Sequence, residues 1–319
     1  MNSKLGTDID YAVELLSKGL LVGIPTETVY GLAANAWNVA AVLNIFKAKN
    51  RPAFNPLILH ADSIEKFESF GLTFPPKALL LARRFSPGPI TYVIPKSACI
   101  PDIITSGTDA VAVRVPNHPL TLELLSQLDF PLAAPSANPS GFVSPTSAQH
   151  VLDQLSDQVE YVLDGGDCTI GLESTIISFL EDEPEILRFG GLPLEAIEQV
   201  IGKVRIPTKG FSDNPVAPGM LERHYATKHK LIKGEIEENI RKFKGSKVAL
   251  ITFNQKFMGF STEYQFVLSE SGNIEEAASQ LFSAMRKADS LDVDYILAAD
   301  FPDFGLGKAI NDRLKRASV

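Results

Sequence analysis

The sequence predicts an α/β chain with two separately packed parts. Three observations carry that reading. Strand-length apolar runs alternate with amphipathic, helix-length stretches from the N-terminus to Ile201. The composition then changes over Lys203–Lys230, which holds three prolines, two glycines and six Lys/Arg against two acids, without a clear apolar period. That is a linker pattern, long enough for a functional segment rather than a bare connection. From about Lys230 the alternation resumes and suggests a small parallel-sheet domain. A chain of 319 residues has room for two proper cores. The expected division is therefore 1–202, a linker over 203–230, and 231–319.

Residues 8–18 are expected to form a helix with Ile9, Ala12, Val13 and Leu16 on one face. Leu20–Ile24 suits a buried strand, ended by Pro25. Asn38 caps a helix expected to bury Val39, Val42, Leu43 and Phe46; it ends in Lys47, Lys49 and Arg51, with Pro52 as the stop. Pro56–His60 is a short strand. Pro75–Phe85 is a helix with Leu79, Leu80, Ala82 and Phe85 inward. Ile90–Ile94 and Ala110–Val115 are strands, and the second carries Arg114 inside it. Leu120–Leu128 and Ser147–Leu155 are helical, and Tyr161–Asp164 is a strand. Ser174–Phe179 and Glu185–Phe189 read as paired strands across an acidic turn, followed by a helix over Leu194–Ile201. In the last part, helices are expected at Ile236–Phe243, Ile274–Ala288 and Leu306–Arg316, and strands at Val248–Phe253, Tyr264–Leu268 and Val293–Ala299.

The totals exclude several classes. A formal charge of −8 does not suit a nucleic-acid binder held by bulk charge, so any RNA or nucleotide site must be a local basic patch. Two distant cysteines, Cys99 and Cys168, make neither a disulfide scaffold nor a cysteine zinc site, and they fit a reducing cytoplasm. The N-terminus lacks the apolar core of a signal peptide, and no apolar run approaches the ~20 residues of a membrane span. A cytoplasmic protein without a membrane role is expected. There is no GxxxxGK[ST], HExxH, GxSxG or strand-borne GxGxxG, which removes the common ATPase, zinc-hydrolase and serine-hydrolase readings. No metal ligands are assigned.

Four patches hold more polar side chains than packing requires. Thr26–Tyr30 delivers hydroxyls after a strand, beside Lys47, Lys49, Arg51 and Asn55. Hydroxyls with paired cations suit a substrate carrying carboxylate and phosphate, although the macrodipole alone also favours cations in a last helical turn. His60 is the second patch. Arg114 is the third; a buried arginine must meet a carboxylate, from the protein or from a ligand. The fourth is Ser136–Thr146, whose amides and hydroxyls can approach phosphates, as well as being an ordinary Pro/Ser/Gly loop by composition.

Six ordered motifs now resemble a known family. PTETVYGL, KAKNRP with NPL, VAVRVPNHP, APSANPSG, GLESTI and ILRFG follow the order of the YrdC-like family. PGMLERHYA in the linker and the terminal GLGKAINDRLKRA are similar to its two-domain branch, and the likeness covers nearly the whole chain. The resemblance implies a twisted, open mixed sheet around a concave pocket, then a smaller Rossmann-like domain. It implies a nucleotidyltransferase that condenses L-threonine, bicarbonate and ATP into threonylcarbamoyl-adenylate and pyrophosphate, with Mg²⁺ expected. Downstream proteins would pass the group to tRNA. The family's Lys-x-Arg and Ser-x-Asn set falls on Lys49, Arg51, Ser136 and Asn138. By the same resemblance, Arg51, Asn55, Ala110, Ser136, Asn138, Thr146, Arg188 and Tyr225 would contact ATP. Lys49 would neutralise phosphate charge, and L-threonine would sit against Thr28, His60, Arg114 and Ser174. Pro139 after Asn138 departs from the pattern and removes one amide. A non-catalytic RNA-binding module is the competing reading, with the linker, Lys308, Arg313, Lys315 and Arg316 as its contacts. A carbamoyl-adenylate transferase with another acceptor is a third.

Overall fold

The computed structural model describes residues 4–206 and 224–318. The first part runs β1 (Leu5–Gly6), α1 (Ile9–Ser17), β2 (Val22–Ile24), β3 (Gly31–Asn35), α2 (Val39–Lys49), β4 (Ile58–His60), α3 (Ile64–Ser69), α4 (Pro76–Phe85) and β5 (Ile90–Pro95). It continues with α5 (Asp102–Thr105), β6 (Ala110–Arg114), α6 (Pro119–Ser126), β7 (Leu132–Ala133), α7 (Ala148–Leu155), β8 (Tyr161–Leu163), β9 (Thr175–Ser178), β10 (Glu185–Arg188) and α8 (Leu194–Ile201). Its strands form one mixed sheet in the order β1-β8-β2-β3-β7-β4-β6-β5-β9-β10.

Period-2 alternation decides what each face carries. Leu57, Leu59 and Ala61 of the β4 region, Val111, Val113 and Val115 around β6, and Ile90, Tyr92 and Ile94 of β5 join the main core. Residues of α2, α4 and α8 cover that face, among them Ile45, Leu81 and Ile197. The alternate residues face the other side. Ile58, Val93, Ala110, Ala112 and Ile176 form a minor apolar patch. Beside it, His60 and Arg114 lie opposite each other across the parallel β4–β6 pair. So the arginine in an apolar strand is explained by its parity.

The second part runs β11 (Lys230–Lys233), α9 (Ile236–Lys242), β12 (Val248–Thr252), β13 (Gln265–Val267), α10 (Ile274–Ser290), β14 (Tyr295–Ala298) and α11 (Gly307–Ala317). Its four strands are all parallel, in the order β11-β14-β12-β13. One face packs on α10 and α11, and the other on α9, as an all-parallel sheet requires. Val29, Val143 and Leu172 of the first part join the α10–α11 core, so the two parts share a hydrophobic seam.

Two expected helix faces need correction. In α2, Val39 and Leu43 are exposed, while Ala41, Val42, Ile45, Phe46 and Lys49 are buried. Val39 and Leu43 are one turn apart and so share the outer face. In α4, Leu80 is exposed, and the inward residues are Ala78, Leu81 and Ala82. Strands β1, β3, β7 and β11 and helices α3 and α5 were not anticipated. The linker residues 207–223 lie outside the described residues. Among the described residues, no helix is long and apolar enough to cross a membrane.

Candidate active site

Helix α2 delivers the first cations. Asn38 Oδ1 accepts from Ala41 N at its start, and Asn50 ends it in the left-handed conformation at φ 47°. Asparagine tolerates that conformation, and the chain reverses there. Arg51 follows at once, with Nε donating to Asn55 O at 3.1 Å and Nη2 to Pro56 O at 2.7 Å. Lys49, in the last turn, is buried and donates to the carbonyls of Ser136 and Asn138. It therefore ties the helix end to the Ser136–Asn138 loop, and burial lowers its pKa, with Arg51 adding to the effect.

A cavity of ≈ 50 Å³ lies beside these groups. Its lining includes Val29, Arg51, Ile58, His60, Arg114, Ser136, Glu173, Ser174, Arg188, His224 and Tyr225. Arg188 donates to Ser174 O at 2.9 Å and Ser174 Oγ at 3.2 Å, and Ser174 Oγ also meets Thr91 Oγ1 at 2.7 Å. Burial and the charge of Arg188 press Arg51 down to about 9; Arg188 itself falls to about 10, mainly through burial. An anionic ligand would relieve both guanidinium groups. His60 is held neutral: burial and then Arg114 lower its pKa to about 3, while its Nδ1 lies 3.2 Å from Ile58 O.

Arg114 meets a carboxylate from the protein. Its Nη2 lies 2.7 Å from Glu27 Oε2, both side chains are buried, and its Nε donates to Gly88 O at 3.2 Å. Glu173 is the second buried carboxylate. Burial alone would raise its pKa, but Arg313, Arg188 and Ser144 together hold it at about 2. Glu27 and Ser144 lie within the Thr26–Tyr30 and Ser136–Thr146 patches and Glu173 within GLESTI, but sequence reasoning singles out none of them, and it names Arg313 only as an RNA contact.

The remaining expected residues fall around this cavity or beyond it. Thr28 adjoins lining residue Val29 and shares its hydroxyl with Thr26 Oγ1 at 2.7 Å. Thr26 already donates to Val29 O, so Thr28 is the donor in that contact. Asn55 and Asn138 are buried, and each has an Oδ1 without a hydrogen-bond partner among the described residues. Asn138 Nδ2 donates to Phe142 O at 2.9 Å. Ala110 lies in the apolar patch next to Ile58. Thr146 contacts His150 and lines a separate cavity between the two parts of the chain.

Tyr225 is fully buried at φ 64°. Its ring stacks on Phe282 at 5.4 Å and faces the guanidinium groups of Arg313 and Arg316 at 5.5 and 5.0 Å. Ala226 N donates to Gly141 O at 2.7 Å, which pins this segment over the Ser136–Gly141 loop. Arg313 and Arg316, expected at the surface under an RNA-binding reading, are 0% and 1% exposed. Period alone could not separate them from the charged face of an exposed helix.

Comparison with known proteins identifies the family. A family model for Sua5, YciO and YrdC, described as "Telomere recombination", matches residues 14–190. A second, described as "Threonylcarbamoyl-AMP synthase, C-terminal domain", matches 192–319. The threonylcarbamoyl-AMP synthase of Pyrococcus abyssi is 45% identical over 97% of this chain and 94% of that protein. That of Bacillus subtilis is 41% identical over 97% and 92%. The crystal structure of P. abyssi Sua5 complexed with L-threonine superposes with a TM-score of 0.91 at 46% identity, covering 97% of this chain and 94% of that one. With both parts matched in order and nearly end to end, the chain belongs to the two-domain Sua5 branch of the YrdC-like family.

Proposed function

We propose that this chain is a threonylcarbamoyl-AMP synthase, a nucleotidyltransferase that condenses L-threonine, bicarbonate and ATP. One observation carries the site reading: Arg51, His60, Arg114, Ser136, Ser174 and Arg188 converge on a single cavity although the chain separates them widely. The threonine amine takes up bicarbonate with loss of water. A carbamate oxygen then attacks the α-phosphorus, and pyrophosphate leaves. N-carboxylated threonine is a weak nucleophile, so placement and charge neutralisation matter more than covalent help.

In this reading Arg51 and Arg188 take the phosphates, while Ser136, Asn138, Asn55, Ala110 and Thr146 frame the nucleotide. Lys49 contributes charge from behind the loop it holds. L-Threonine lies against Thr28, His60, Arg114 and Ser174, and its carboxylate competes with Glu27 for Arg114. Mg²⁺ enters as part of the MgATP substrate. Among the described residues no three His, Cys, Asp or Glu side chains are grouped to hold an ion. Glu27 and Glu173 each face an arginine; an ion arriving with ATP would be held by phosphate oxygens and water.

Sites for ligands of this size run to roughly 300 Å³ or more, so the cavity must widen for ATP to enter. We read 203–230 as a lid that then closes over the reactants and keeps water from the carbamate. The product would pass to cytoplasmic proteins that modify tRNA. The direct test is pyrophosphate release from ATP and bicarbonate, with and without L-threonine. Threonine-dependent release supports the assignment. Release indifferent to threonine would point to another acceptor, and no release from folded protein would favour a non-catalytic module.

A further inference from the structure

Arg313 of α11, in the second domain, reaches into the catalytic domain beside Ser174 and Arg188. It is fully buried and makes contacts in three directions. Nε and Nη2 donate to Glu173 Oε2 at 3.2 and 3.0 Å. Nη1 donates to Phe189 O at 2.5 Å and to Asp312 Oδ2 at 3.1 Å. Its guanidinium plane faces the Tyr225 ring. Glu173 immediately precedes Ser174, and Phe189 immediately follows Arg188. A single planar fork therefore grips both strands of the β9–β10 pair at the end that carries Ser174 and Arg188. Glu173 Oε1 is fixed in turn by Ser144 Oγ at 2.6 Å.

We propose that Arg313 is a positioning residue supplied by the second domain, which sets Arg188 and Ser174 for ATP and L-threonine. The inference rests on the synthase reading for its substrates. Two other side chains, Arg286 and Lys308, cross the same seam without touching the β9–β10 pair. Arg286 of α10 donates to Val143 O and, at 2.8 Å, to Gln154 Oε1. Lys308 Nζ donates to Glu195 Oε1 at 2.7 Å near the surface, on α8 rather than on the β9–β10 pair. Lysine at position 313 would keep a charge for Glu173. A single ammonium on a flexible stem lacks the planar fork that reaches the Glu173 carboxylate and the Phe189 carbonyl together.

The test uses the full-length chain with Arg313→Lys, Glu173→Gln, their double variant, and Lys308→Ala as the seam control. ATP affinity is read by calorimetry, turnover by threonine-dependent pyrophosphate release, and the fold by melting. Arg313→Lys is expected to weaken ATP binding about tenfold and slow turnover at least as much, while Lys308→Ala leaves both within about twofold of wild type. The double variant should be no worse than the poorer single one, because both changes undo one linkage. Equal losses in Arg313→Lys and Lys308→Ala would overturn the proposal in favour of general domain docking. Unchanged ATP affinity in Arg313→Lys would overturn it outright. A wild-type protein that binds ATP without turning it over would sink the synthase reading, and the ATP affinities would still decide the role of Arg313.

Discussion

At the scale of single residues, the site is a set of buried charges whose partners come from far away in sequence. Arg51 is the one that most directly tests the reading. Its guanidinium holds two backbone carbonyls of its own loop, so Arg51→Ala removes phosphate neutralisation at a modest structural cost. Pyrophosphate release should fall by ~10²-fold or more, with a folded melting transition retained; near-wild-type turnover would remove Arg51 from the chemistry. His60 makes a second prediction. Its pKa in the folded chain is about 3, below the ordinary value of 6.5, so between those values the unfolded chain binds more protons. Stability contributed by neutral His60 is complete above pH 6.5 and declines as pH falls toward 3. Urea midpoints should drop across that window, and less steeply in His60→Gln; parallel profiles for the two proteins would contradict a neutral buried ring. Arg114 was legible as an arginine in need of a carboxylate. Glu27 as its partner was not, because the pairing depends on how the loop after β2 folds over β6.

At the scale of elements, strands and helices were readable where apolar period and end signals agreed. Asn38, Ser147 and the Ser86–Pro89 stop marked boundaries correctly, and Ala277, Ala278, Leu281 and Met285 face inward in α10 as expected. β3 was missed because Gly31–Asn35 is made of small residues with no β-branched signature. The faces of α2 and α4 were misjudged because each has apolar residues on more than one side, and only the core decides which are covered. The His224–Ala226 segment is where sequence and geometry meet. Removing the Tyr225 ring should let water reach the adenylate adduct and hydrolyse it to AMP after pyrophosphate has left, so Tyr225→Ala should show several-fold more pyrophosphate per molecule of surviving adduct. An unchanged ratio of the two products would show that Tyr225 does not seal the site.

At the scale of the whole molecule, the two domains are joined by a seam that is both apolar and charged. Truncation after about Ile201 would expose Val29, Val143 and Leu172 and leave Glu173 without Arg313. Orphaning one member of a buried ion pair costs about 3–5 kcal/mol. The shortened chain should stay folded but melt lower and turn over weakly, and adding Glu173→Gln should recover part of the melting temperature without restoring activity. Full activity in the truncated chain would refute both the lid and the contribution of α11. That the chain has two packed parts was legible in the sequence, whereas the reach of α11 into the first was not, since a helix with four cations reads as solvent-facing. The central claim is that one cavity joins three substrates into one adenylate. Mass analysis of the nucleotide product made from ¹³C-bicarbonate, ATP and L-threonine tests it most directly. The account predicts a threonine-dependent adduct of AMP that carries the label; unlabelled AMP as the sole nucleotide product would contradict it.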